Sequence, residues 1–232
     1  MLQTPMKLIA LNRLTKYSAQ RTWYEGRQYY SVQGQVYTGI TTILSATRSE
    51  EDEQRFKDWE EEVGVAEAQR IRRESTRRGR ILHQRIEGHL NGVSQQRLDQ
   101  DAEQEKYWQS IQLVLEQIEN IHLVEGTVWH PYGFAGITDA LVNYDGQLCV
   151  CDWKSSTKPK KWNWIQEHCL QVAAYTAAVN RVYQSQGVRV AQALIAIALP
   201  HTEAQVFRIE QEALMEYWQA FKQRLEQFKT MQ

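Results

Sequence analysis

The stretch GITDALVNYDGQLCVCDWKSSTKPK, residues 136–160, decides the architecture. Apolar and β-branched residues flank the turn at Tyr144, Asp145 and Gly146, which predicts strands over about 134–144 and 147–154 folded back on one another. Into this sheet-like run the sequence sets Asp139, Asp152 and Lys154. Side chains alternate along a strand, so Asp139 is expected to share a face with Ile137 and Leu141, and Asp152 with Val150 and Lys154. If the strands pair, two carboxylates and an ammonium converge on one side of the sheet. Carboxylates brought together resist ionising unless positive charge lies between them. A lysine and a hard cation such as Mg²⁺ or Mn²⁺ would supply it, the cation keeping waters and accepting phosphate oxygens. A pair of solvated edge-strand aspartates near a surface lysine fits the bare D-x-K as well.

Working outward, a strand is expected over 122–130 and, before it, an amphipathic helix over about 98–120 with Trp108, Ile111, Leu115 and Ile118 at helical spacing. Residues 50–91 read as helical, with breaks at Gly64 and Gly79 and a stop at Asn91–Gly92. Residues 7–40, where aromatic and β-branched residues alternate with polar ones, predict a hairpin or meander. Downstream come a helix over 162–181, strands in RVAQALIAIALP (189–200) and AQVFRIE (204–210), and a final amphipathic helix. The expectation is one α/β domain over 1–232, a mixed sheet flanked by helices. Its hairpin and helical lobe occupy 1–120 and its α/β core 121–232.

Lys plus Arg total 27 against 28 for Asp plus Glu, so the net charge of −1 offers no global attraction to a polyanion. Nucleic-acid binding would need a local basic face. Cys149, Cys151 and Cys169 are odd in number and form no C-x-x-C, which reads as small apolar residues in a reducing compartment. The opening MLQTPMKLIALNRL lacks a signal peptide's apolar stretch, and no run of about 18 apolar residues is present to span a membrane. A soluble, cytoplasmic protein is expected.

Three further features bear on the site. Gln171 and Tyr175 stand at i and i+4, on one face of a helix that could reach the carboxylates. His83 and Glu87 have the same spacing in RGRILHQRIEGHL, and imidazole is a competent Mn²⁺ ligand. The segment KSSTKPKKWNW follows Lys154 with hydroxyls, Lys158, Lys160 and Lys161 for phosphates, and Trp162 and Trp164 for stacking.

The ordered set of a helix-borne histidine, G-x-x-D, D-x-K and Q-x-x-x-Y resembles the RecB-type branch of the PD-(D/E)XK nuclease superfamily. It stands here as His83, Gly136 to Asp139, Asp152 to Lys154 and Gln171 to Tyr175. TTIL, RGRILHQRIEGHL, CDWKSSTKPK and QVAAYTAAVN are similar in particular to exonucleases of mitochondrial genome maintenance and their phage and bacterial relatives. The resemblance, from about Gln28 to the last helix, implies a restriction-endonuclease-like core and a DNA exonuclease preferring single-stranded ends, using one or two Mg²⁺ or Mn²⁺ ions. It implies Asp139, Asp152 and His83 as metal ligands with the Trp153 carbonyl, and Lys154 as the residue that positions or activates water. Gln171 and Tyr175 would support the site, and Ser155 and Ser156 would contact DNA. The GITD here replaces the eponymous proline–aspartate, as that branch tolerates. Some relatives carry an iron–sulfur cluster on four cysteines; three at other spacings imply none here. A bacterial or phage setting is expected, as are replication or recombination proteins as partners.

Glu125, on the strand before G-x-x-D, could complete the site or be a surface strand residue. Arg77 and Arg78 lie in RIRRESTRRGR, where they could guide a DNA strand or form a solvated helix face. A flap or branch endonuclease and a silent DNA-binding module are the alternatives to an exonuclease.

Overall fold

A computed structural model of the chain describes residues 13–93 and 102–231. The first residues of two expected elements, residues 7–12 of the meander and 98–101 of the helix before the core, lie outside the described residues. The N-terminal meander is β1 (Gln20–Tyr24), β2 (Arg27–Val32) and β3 (Gln35–Gly39), followed by α1 (Ile40–Ala46), α2 (Glu50–Val63), α3 (Val65–Leu90) and α4 (Ala102–Glu116). The core follows as β4 (Ile118–His130), β5 (Phe134–Tyr144), β6 (Gln147–Ser155), α5 (Gln166–Val182), β7 (Gln192–Ala198), β8 (Gln205–Ile209) and α6 (Gln211–Thr230).

All eight strands form one mixed sheet, in which β3–β5 and β6–β7 are parallel and the other pairs antiparallel. The β5–β6 turn is tight because Asp145 and Gly146 both take left-handed backbone, at φ 54° and 75°, which matches the twist of the flanking strands. The run β7, QALIAIA, is buried throughout, as a strand in the middle of a covered sheet must be.

Helices cover both faces. Leu82, Ile86 and Leu90 of α3 recur at helical spacing and pack with Tyr107, Trp108 and Ile111 of α4 on one face, with Trp153, Cys149 and Cys151 of the sheet. On the other face α1, α5 and α6 enclose Leu141 and Val150. Arg224 ties this second layer together: its guanidinium donates to Thr47 Oγ1 (2.6 Å), the Leu44 carbonyl (2.6 Å) and Glu167 (2.9 Å).

The helical lobe differs from expectation at Gly79, where no break occurs; α3 runs unbroken through it for 26 residues. A lone glycine costs about 1 kcal/mol relative to alanine in a helix, too little to outweigh the buried stripe that follows it. Gly64, at φ 84°, does separate α2 from α3, and α3 stops at Asn91 as expected. Ser49 caps α2 by accepting from the Asp52 N–H, and Glu50, Glu51, Asp52 and Glu53 lie at its positive end. No residue of α2 is buried; it leans on α3 through Arg72, which pairs with Glu60 at 2.6 Å and lies 4.5 Å over the Phe56 ring.

Replacing Arg224 by alanine strands the partners of three hydrogen bonds in a partly buried layer. Denaturant unfolding of Arg224→Ala is expected to show a loss of about 2 kcal/mol; an unchanged midpoint would contradict the tie.

Candidate active site

The site forms where the sheet splits. β5 pairs with β4 along one side from Phe134 to Tyr144. Its other side pairs with β3 only at Phe134 and Ala135, and with β6 only from Ala140 to Tyr144. Gly136 to Asp139 therefore belong to neither ladder on that side. β6 does not end there: it keeps its parallel ladder with β7 through Ser155 while diverging from β5. The Trp153 N–H next in line is taken by the Asp139 carboxylate, Oδ2, at 2.8 Å. Asp139 is thus held in the fork, and Asp152 and Lys154 stand on the opposing strand.

Asp152 is buried, and both its oxygens lie close to the Lys154 ammonium, Oδ1 at 2.7 Å and Oδ2 at 2.6 Å. Oδ2 lies off the hydrogen-bonding line and has no hydrogen-bond partner in the described structure. Burial works against the charged lysine, but Asp152 and then Asp139 more than offset it and raise its pKa.

His83 enters from α3, where that helix meets the core. Its Nε2 lies 2.6 Å from the Trp153 carbonyl, which turns Nδ1 toward Asp139 Oδ1 (3.5 Å) and Glu125 Oε1 (3.8 Å). Burial pulls the imidazole pKa down, yet the carboxylates, Asp139 foremost, outweigh it and set about 9. The Asp139 carboxyl is pushed up to about 7, chiefly by burial, which His83 and Lys154 only partly offset. An excess of buried acid is thus balanced here by a borrowed proton.

Glu125 is in the site through its backbone. It adopts φ 47° in the middle of β4, a conformation rare for a non-glycine residue and found where a strand is bent to re-aim a side chain. The bend has a visible consequence. Val128 packs in the layer of α5 and α6 but Val124 in that of α3 and α4, although four residues apart on a strand should share a face. The facing strand behaves alike: Ile137 packs with the meander while Leu141 packs under α5, so the single face expected for Ile137, Asp139 and Leu141 is divided.

One ligand atom each from His83, Glu125 and Asp139 lie within 4.8 Å of one another. Imidazole and two carboxylates around such a gap, with a carboxyl and an imidazole whose pKa values are both raised, fit a divalent cation that would take the place of the proton. Asp152 stands beside this trio, engaged with Lys154, and the Trp153 carbonyl lies 2.6 Å from His83 Nε2.

Gln171 and Tyr175 face the fork from α5, 3.5 Å apart between Nε2 and the hydroxyl. Gly136 makes room for them: a Cβ there would sit 2.7 Å from Tyr175 Cε1. Arg78 lies 3.2 Å from the Ser155 hydroxyl and 5.1 Å over the Tyr107 ring. Arg77 is exposed one residue before it. Ser156 is buried and its hydroxyl donates to the Lys158 carbonyl, which shapes the loop. Lys158, Lys160 and Lys161 are exposed, with Lys161 5.5 Å over the Trp164 ring. Two contributors carried no signal in the sequence: Tyr107 beneath Arg78, and His168, whose pKa burial and then Lys154 depress to about 4, so that it stays neutral near the lysine.

A mixed sheet that opens around Asp, Asp-x-Lys and a helix-borne histidine defines a PD-(D/E)XK nuclease fold and site, and the chain belongs to the PD-(D/E)XK nuclease superfamily, whose family profile matches residues 42–231. Among individual proteins it is 27% identical to the human mitochondrial genome maintenance exonuclease 1 over 207 residues, 85% of this chain and 59% of that one. The mouse protein of that name is 28% identical over 200 residues, 83% and 59% of the two chains. The chain thus spans about 59% of the length of these relatives. A solved structure from Eubacterium rectale, provisionally named an exonuclease, aligns with TM-score 0.41 and 15% identity over 66% of this chain and 68% of that one.

Two outcomes are expected. Gly136→Ala forces the Tyr175 ring away and destabilises the fold by about 1–3 kcal/mol in denaturant unfolding; wild-type stability would refute the close packing. Glu125→Gly relieves the left-handed backbone, so the melting temperature in EDTA stays equal or rises, while the stabilisation given by millimolar Mn²⁺ shrinks. An undiminished Mn²⁺ effect would remove Glu125 from the cation site.

Proposed function

We propose that the chain is a Mg²⁺- or Mn²⁺-dependent deoxyribonuclease that hydrolyses phosphodiester bonds at the ends of single-stranded DNA. The observation that carries this reading is the convergence of His83, Glu125 and Asp139 beside the buried Asp152–Lys154 pair. The name of the mammalian relatives, a genome maintenance exonuclease, adds support for end-dependent cleavage of DNA. The whole chain, 1–232, is read as one nuclease domain, in a bacterial or phage setting and working beside replication, repair or recombination proteins. Among the described residues no helix is long and apolar enough to cross a membrane.

A divalent cation held by His83, Glu125, Asp139 and, on rearrangement of its pair, Asp152 would polarise a phosphoryl oxygen and acidify a bound water. The chain's own groups do the rest. Asp152 keeps Lys154 charged and aimed into the fork, where its ammonium can orient the attacking water and offset charge building on the phosphate. The Trp153 backbone fixes both neighbours, its N–H holding Asp139 and its carbonyl holding His83. Tyr175 and Gln171 close the fork opposite and support the phosphate. Arg77, Arg78, Ser155, Lys158, Lys160 and Lys161 offer donors to phosphates on the strand's approach, with Ser156 shaping their loop.

The test is incubation of end-labelled linear and of circular single-stranded DNA with the chain in Mg²⁺ or Mn²⁺. Loss of the linear strand alone, slowed about a hundredfold or more by Lys154→Ala, is the expected result. Cutting of the circle would replace this reading with an endonuclease, and cleavage of neither with a silent binding module.

A further inference from the structure

The β1–β2 hairpin exposes more than a sheet edge normally does. All five residues of β1 are exposed, Trp23 at 68% and Tyr24 at 66%. The exposed indole leaves a flat aromatic face open to a stacking partner. Register fixes what lies beside it. Arg21 pairs with Tyr30 and Tyr30 with Tyr37, so the three form one row on one face of the meander, and Trp23 stands opposite Gln28 on that same face.

That face leads to the fork. Tyr30, Val32 and Tyr37 pack with Ala135, and Ile137, two residues before Asp139, packs against them. The approach is close: a Cβ on Gly39 would lie 3.1 Å from the Gln28 carbonyl and 3.3 Å from the Tyr30 ring. The Tyr30 hydroxyl, its pKa raised chiefly by burial, also senses Arg21 on one side and Glu125 on the other, which places it between hairpin and fork. At about 4.8 Å between strands and about 3.3 Å per residue along them, Trp23 stands about 20 Å from Asp139, a reach of a few nucleotides. Arg21 is exposed on β1, whereas Arg27 at the turn is stacked 5.4 Å from Phe228.

We infer that this hairpin face binds the stretch of single-stranded DNA adjoining the scissile phosphate, with Trp23 stacked on a base and Arg21 on a backbone phosphate. The inference rests on the nuclease reading for its choice of ligand. It deepens that reading by adding a second contact surface across the fork from Arg78 and the Lys158–Lys161 loop. A cationic side chain beside an exposed indole, continuous with a phosphodiester site, fits a polynucleotide strand. A protein strand added to the β1 edge would instead use backbone groups and be indifferent to these two side chains.

The test is fluorescence anisotropy of a labelled single-stranded oligodeoxynucleotide with the full chain in EDTA, across a salt series, with thermal melts confirming that each variant folds. Trp23→Ala weakens binding about tenfold, the worth of one stacked base, and Trp23→Phe keeps most of the affinity because any aromatic face can stack. Arg21→Ala lowers the slope of log affinity against log salt by about one. Tyr132→Ala, which removes another exposed aromatic from the β4–β5 turn, leaves affinity unchanged. Wild-type affinity and slope in both hairpin variants, or an equal loss in Tyr132→Ala, overturns the inference. If the hairpin variants weaken binding while no metal brings cleavage by the wild type, the nuclease reading fails and the hairpin surface stands. If the wild type cleaves and the hairpin variants bind as it does, the hairpin surface alone fails.

Discussion

One hydrogen bond organises the site: the Trp153 N–H donating to the Asp139 carboxylate. Where β5 and β6 part, a backbone donor would be left buried and unpaired, at a cost of about 1–3 kcal/mol. The carboxylate takes the place of the missing strand carbonyl. That substitution lets the sheet open without losing the order of its rungs, and it pins an acidic side chain in the opening. The carbonyl of the same residue holds His83 at 2.6 Å, so the backbone of one residue orients groups from β5 and from α3 together. The Trp153 side chain, buried in the layer beneath α3 and α4, keeps that backbone from moving.

Electrostatics explain why such an arrangement is tolerated. Asp139 and Asp152 oppose one another in a largely buried fork beside Glu125, and burial there pushes the Asp139 carboxyl up. Lys154 answers Asp152 directly, while His83 answers Asp139 and Glu125 with a proton. A carboxyl raised to about 7 and an imidazole raised to about 9 keep the order of the isolated groups but are both displaced upward. That joint displacement expresses a shared demand for positive charge, which a divalent cation meets more fully than a proton can. The left-handed backbone of Glu125 belongs to the same economy, since strain of about 1–3 kcal/mol persists only where surrounding structure enforces it.

Much of the fold was legible because its signals are local. The change of period from helical to alternating near residue 120, the Asp145–Gly146 turn and the apolar run of β7 each specify an element within a few residues of themselves. Gly79 misled for the complementary reason: its helix-breaking tendency is local and weak, and it yields to the packing of Leu82, Ile86 and Leu90 that lies further along. The face expected for Asp139 misled because alternation assumes a regular strand, and the departure originates on β4, fourteen residues earlier in the chain at Glu125. No pattern around Glu125 announces that bend.

By itself the sequence determined the order of helices and strands and the ordered motif set of His83, Asp139, Asp152, Lys154, Gln171 and Tyr175. These follow from residue type, spacing and charge, all of which are written along the chain. Only the tertiary structure decided that Glu125 joins the trio, that Asp152 pairs with Lys154 beside it, and that the Trp153 carbonyl turns His83 toward the carboxylates. It alone brought the exposed hairpin to the edge of the fork. Each of these depends on where strands separated by many residues part from one another and on the backbone angles at the parting, and neither is encoded in any short stretch of the chain.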